Sequence, residues 1–196
     1  MAFATIGNSG LTGSIDLTSK VTGTLPVANG GTNLTSGFVN GGGLTAASQW
    51  RMTTTFAGDA APIASNWEQS DSTAYANLGS AMTESSGIFT FPSTGFWFVR
   101  FTGMIKSDNA ANRAAYNIYA TTNNSSYTEI AQSALNGEDG SAQRESSLYV
   151  QSTIDVTNTT NVKVKFGYTA ATTAVNIFGD SARNGTNMIF IRLGDT

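Results

Sequence analysis

The chain contains no cysteine and no histidine among its 196 residues. Without cysteine there is no disulfide framework, no thiolate nucleophile and no thiolate zinc site. Without histidine the commonest general base and the commonest transition-metal ligand are missing. Charge is also scarce: Asp, Glu, Lys and Arg make up 12% of the chain and the net charge is -3. No basic field therefore concentrates phosphates, and no nucleic-acid partner is expected. No apolar run approaches the roughly 20 residues of a membrane span. The start, Met1-Ala2-Phe3-Ala4-Thr5-Ile6-Gly7, has neither the basic region nor the apolar core of an export signal, so no membrane insertion is expected.

What is present falls into two unlike segments. In residues 1–45 the larger apolar groups are thinly spread: Leu11, Ile15, Leu17, Val21, Leu25, Val27 and Leu34 are separated by Gly, Thr, Ser and Asn. Such a segment cannot bury enough surface by itself to offset its ordering entropy. Three copies wound about one axis can, because each sparse row then faces two others. The expectation is an extended, trimer-stabilised stalk, with a flexible leader as the alternative, ended by a hinge at Gly41-Gly42-Gly43.

From residue 46 to 196 the pattern changes to short alternating runs. Trp50, Met52, Thr54 and Phe56 share one face of a candidate strand, with Arg51, Thr53 and Thr55 on the other. Leu148, Val150, Ile154 and Val156 form a second such face, Val162, Val164, Phe166 and Tyr168 a third, and Ile189, Ile191 and Leu193 a fourth. Turn residues separate these runs at Pro92 to Gly95, Asn123-Asn124, Asn136-Gly137, Asn158 to Asn161 and Asn184-Gly185. No helical stripe is sustained anywhere, and many short strands at this spacing predict an all-β sandwich or jelly roll. The run Gly95-Phe96-Trp97-Phe98-Val99-Arg100-Phe101 is apolar on both faces except at Arg100. Trp97, Val99 and Phe101 suit the core; Phe96 and Phe98 need a separate cover, which a subunit interface supplies.

Two resemblances bear on these segments. Thr22-Gly23-Thr24-Leu25-Pro26-Val27-Ala28-Asn29-Gly30-Gly31-Thr32-Asn33 resembles a module that recurs in bacteriophage tail-fibre proteins. The C-terminal segment resembles the tumour necrosis factor-like jelly roll in the form of the complement component one-q head. Asn77, Phe89, Gly95 and Phe101 match that signature, while Trp97 and Val99 replace its Tyr and Phe, Met82 stands where an aromatic is usual, and Asp71 where an upstream Phe would be. The run Met188 to Gly194 resembles the family's closing strand. The resemblances imply a homotrimer, located in a virion, with a stalk followed by a jelly-roll head.

Function is then expected to be structural: a short phage fibre or spike that attaches to a glycan or protein of the host surface, with other tail or capsid proteins as partners of the N-terminal segment. The alternatives are a head fibre that decorates the capsid and, third, a capsule-degrading fibre. Paired carboxylates can hydrolyse glycosides without His or Cys, but no spacing among Asp59, Glu68, Asp71, Glu84, Glu129, Glu138, Asp139, Asp155 and Asp180 makes one pair converge. No enzyme activity and no cofactor are expected. Carboxylates and carbonyls would suit calcium over a transition metal, and some members of the resembled family bind it near the head apex, which points to Asp180 and Asp155. If strands reverse at every turn, the loops near 92–95, 122–126, 156–161 and 180–186 share the end remote from the stalk. That places Asn123, Asn124, Tyr127, Asn158, Asp180, Arg183 and Asn184 together as a candidate receptor-binding tip. The same count puts the loop Leu135 to Glu145 at the base.

Overall fold

A computed structural model describes residues 44–107, 113–136, 144–170 and 173–196. Its strands are β1 (Ala47–Met52), β2 (Thr54–Ala57), β3 (Trp67–Gln69), β4 (Thr83–Ser85), β5 (Ile88–Thr90), β6 (Gly95–Ser107), β7 (Arg113–Thr121), β8 (Thr128–Asn136), β9 (Arg144–Val156), β10 (Lys163–Ala170), β11 (Val175–Asp180) and β12 (Asn187–Gly194). No helix occurs among the described residues. The chain divides between Gly43 and Leu44. The stalk positions Leu11, Ile15, Leu17, Val21, Leu25 and Val27, with the Thr22–Asn33 motif, lie outside the described residues.

Two antiparallel sheets make the sandwich. Sheet A runs β3-β1-β12-β6-β9, and β11 with β2 continues it beyond β12 along the same side of β6. Sheet B runs β4-β5-β10-β7-β8. The alternation read from sequence sets the inward faces. Val150, Ile154 and Val156 of β9, Val164, Phe166 and Tyr168 of β10, and Val162 just before β10 are all buried. Trp97, Val99 and Phe101 are fully buried on the inner face of β6.

Aromatic rings hold the two sheets together. Phe89 of sheet B contacts Trp50, Trp67 and Phe190 of sheet A and Phe166 of its own sheet, with ring centroids 5.4–6.3 Å apart. Phe101 stacks on Tyr116 at 4.4 Å and meets Trp67 and Phe166 edge-on. Each ring buried this way is worth about 2–3 kcal/mol of transfer free energy, and the edge-on and stacked pairs add to it. Signature positions therefore have physical reasons: Phe89 and Phe101 are hubs of the core. Gly95, at φ +129°, lies where a Cβ would run into the carbonyl oxygen of Gly194.

The structure decides two directions that alternation left open and corrects one expectation. First, Ile189 and Ile191 turn outward while Met188 and Phe190 fill the core, and Leu193 falls at a bulge between Arg192 and Gly194. The closing strand is apolar on both sides. Second, Arg51 points outward yet is only 2% exposed, because residues 67–72 cover it. Third, the loops do not share one end. Pairing of Gly95 with Val156, Phe96 with Gly194, and Lys163 with Thr121 puts the 91–94, 122–127 and 157–162 turns at the end where the chain enters the head near Leu44. The 181–186 segment is not a reversal at all. β11 and β12 both run antiparallel to β6, one pairing Ile105 to Ser107 and the other Phe96 to Thr102, so they are one line of strand interrupted by an excursion. Counting a reversal there shifts every earlier loop to the wrong end. By the same correction, Asn136 and Arg144, which bracket the long β8–β9 loop, lie at the end remote from Leu44; Glu138 and Asp139 fall outside the described residues.

Candidate functional site

The outward face of sheet A is built in cross-strand rows, because directly paired residues project to the same side. Nearest Leu44, Phe96 lies beside Asp155. The next row is Ala47, Ile191, Phe98 and Thr153, and the next is Gln49, Ile189, Arg100 and Gln151. The last is Arg51, Asn187, Thr102 and Tyr149. Apolar content is concentrated at the Leu44 end and gives way to polar groups along the strands. Phe96 is 40% and Leu193 50% exposed, and Leu78, bridged to Ala47, is 46% exposed. Phe98, Ile189 and Ile191 are half-buried. A contiguous face of this kind is uncommon on a soluble monomer.

One side of this face is a hollow of about 170 Å³ lined by Ala47, Ser48, Gln49, Tyr75, Ala76, Ile189 and Ile191. Its wall is held in place by polar bonds. The Gln49 backbone N–H donates to the Tyr75 hydroxyl at 2.6 Å, and that hydroxyl donates to Asn77 Oδ1 at 2.6 Å. Burial raises the Tyr75 phenol above its ordinary value, outweighing the Gln49 bond that lowers it. Asn77, a signature residue, thus fixes an aromatic wall of the hollow.

Beyond it, Arg51 Nε donates to Glu68 Oε1 at 2.6 Å, one terminal nitrogen donates to Ser72 Oγ at 2.9 Å, and the other pairs with Asp71. Asp71, noted as departing from the signature, is therefore a partner of a buried guanidinium. Three partners compensate Arg51 for its desolvation, and they tie the segment carrying Tyr75 to β1. Gln49, Ser70, Asn184 and Asn187 continue the polar end in a chain of side-chain hydrogen bonds at 3.1–3.4 Å.

The residues expected at a binding tip are divided. Asn123, Asn124, Tyr127 and Asn158 sit at the Leu44 end; Asp180, Arg183 and Asn184 bracket or lie in the lateral excursion between β11 and β12. Asn123 Oδ1 accepts the backbone N–H groups of Ser125 and Ser126 at 3.0 and 2.9 Å, and Asn158 Oδ1 that of Thr160 at 2.8 Å. These are turn-forming roles, and Asn124 adopts φ 56°. The Asp180 carboxyl is held below its ordinary range by the Ala182 N–H and then by Arg183. Among the described residues no three carboxylates converge as metal ligands would, and Asp155 and Asp180 belong to different strands and rows. Phe96 and Phe98 do come together with Ile189 and Ile191. Those two isoleucines were legible as one apolar face, but its direction was not.

No family model and no curated protein matches the chain. Solved structures do. Eiger TNF from S. frugiperda matches with a TM-score of 0.58 at 14% identity, over 79% of this chain and 96% of that one. Murine APRIL at pH 8.5 matches with a TM-score of 0.54 at 9% identity, over 76% and 98%. The pH 5.0 form of APRIL gives 0.54 at 8% identity over the same shares. The head therefore has a TNF-like jelly-roll fold.

Proposed function

We propose that this chain is a homotrimeric, non-catalytic virion protein, a short phage fibre or spike whose jelly-roll head contacts the host cell surface. The observation that carries the reading is the apolar face of Phe96, Phe98, Ile189 and Ile191 on sheet A, which stands open among the described residues with the exposed Leu193 at the adjoining bulge. A second and third copy of the same head would remove it from water, with the adjoining hollow available to a neighbouring side chain. The fibre-like motif Thr22–Asn33 supports a viral setting, and its sparse apolar rows call for the same stoichiometry. The polar, weakly charged surface suits reversible hydrogen bonding to a receptor.

Two measurements test this. Sedimentation equilibrium of the whole chain is expected to return three times its 20.4 kDa mass, and the purified protein is expected to compete with virions for adsorption. A monomer would overturn the assembly. A trimer that leaves adsorption untouched would overturn attachment and favour a capsid-decorating head fibre. Release of sugar from capsule would identify an enzyme instead.

A further inference from the structure

The outward face of sheet B has a different character. Across β10 and β7, Lys165 pairs with Tyr119, Lys163 with Thr121 and Gly167 with Asn117, so these side chains share that face. Lys165 Nζ lies 5.3 Å from the centre of the Tyr119 ring and 4.7 Å from that of Tyr127, and donates to the Ala61 carbonyl at 3.3 Å. Two phenol rings and one carbonyl orient the ammonium without neutralising it. No carboxylate among the described residues pairs with it, so its charge stays available to an anion.

Lys163, two residues away on the same face, stands about 7 Å further along the strand. Arg113 opens the same face of β7, but six residues from Tyr119 and so about 20 Å away, and donates to Gln132 Oε1 at 2.9 Å. None of the three cations forms an ion pair with another described residue. Glu129 is turned to neutral partners, accepting from Asn117 Nδ2 at 2.8 Å and from Gln132 Nε2 at 3.3 Å. In a chain of net charge -3, Lys163 and Lys165 form a local cationic pair, bordered on the β8 side by the Glu129 carboxylate that pairs with Tyr119.

The geometry points to this pair as a binding site for an acidic polysaccharide, with successive uronate carboxylates on Lys163 and Lys165. Charge complementarity selects an acidic over a neutral glycan. Nucleic acid fits less well, because an ammonium already stands over the Tyr119 and Tyr127 rings that bases would stack on and the overall charge opposes a polyphosphate. The inference rests on the attachment reading in taking the glycan as a component of the host surface.

Binding of the whole chain to immobilised polygalacturonate, with dextran and poly(dT) as comparison surfaces, tests it. Retention on polygalacturonate that weakens with added NaCl is expected. Lys163→Gln with Lys165→Gln should weaken it by about ten-fold, since charge contacts carry such binding. Lys165→Arg should retain it, and Lys106→Gln, removing a cation of the other sheet, should not change it. Equal retention by the double variant, equal retention on dextran, tighter retention on poly(dT), or an equal loss with Lys106→Gln would each overturn the site. Normal polygalacturonate binding without adsorption competition would refute attachment alone and leave the site standing.

Discussion

Replacing Phe96 with Lys separates the stability of the head from that of its assembly. Phe96 is 40% exposed, so of the roughly 200 Å² that a Phe side chain presents, about 80 Å² is open to a neighbour. Covering it is worth about 2 kcal/mol. Three copies make that about 6 kcal/mol per trimer, or about four powers of ten in the association constant. For a monomer–trimer equilibrium this raises the half-dissociation concentration about 100-fold. In the isolated head the change is mild, because Phe96 is paired across β9 with Asp155 and a lysine there meets an opposite charge. Sedimentation velocity across a concentration series should show F96K dissociating where the unsubstituted chain remains trimeric, while its far-UV circular dichroism and first-order melting of the head stay close to the parent. If F96K and the parent dissociate at the same concentration, the face around Phe96 is not the interface.

Other substitutions probe the fold. Arg51→Met is expected to cost about 1–3 kcal/mol in urea unfolding; a broken buried pair would cost more, but Asp71 is 77% and Glu68 34% exposed in their side chains and both recover hydration. Gly103→Ala places a Cβ 2.6 Å from Thr186 Oγ1 and 2.7 Å from the Tyr116 hydroxyl, an overpacking expected to cost about 1–3 kcal/mol by the same measurement. Burial is the main cause that raises the Tyr116 and Tyr168 phenols far above their ordinary value of 10.0. Both are neutral in the folded head and ionise first in the unfolded chain. Their contribution is therefore complete below pH 10 and declines above it, by up to about 1.4 kcal/mol per pH unit for each. Melting between pH 9 and 11.5 should fall steeply for the parent and less so for Tyr116→Phe; identical profiles would refute this.

The legible part of the fold was the part governed by side-chain alternation. The inward rows of β9 and β10 and the two-faced character of β6 follow from period two alone, since a strand sends alternate residues to opposite sides. What was not legible depends on what lies over a strand. Ile189 and Ile191 share one face by the same period, yet Met188 and Phe190 are equally apolar, and only pairing with β6 and β1 decides which set turns inward. The burial of Arg51 was not legible because its acidic partners lie 17 and 20 positions away. Loop positions failed for one reason: β11 and β12 run in the same direction along one edge of β6, and an excursion within a line of strand carries the same Asn-Gly signal as a hairpin.

By itself the sequence determined that this head is an all-β sandwich with no thiol or imidazole chemistry and with Phe96 and Phe98 left over on the far side of a core strand. Composition and period suffice for that, because they act residue by residue. Tertiary structure alone decided that those two rings join Ile189 and Ile191 beside the Tyr75 hollow. It likewise decided that Lys165 stands between Tyr119 and Tyr127, and that the turn asparagines and the Asp180 excursion occupy different places. Each of these depends on strand order and direction, which bring together residues far apart in the chain.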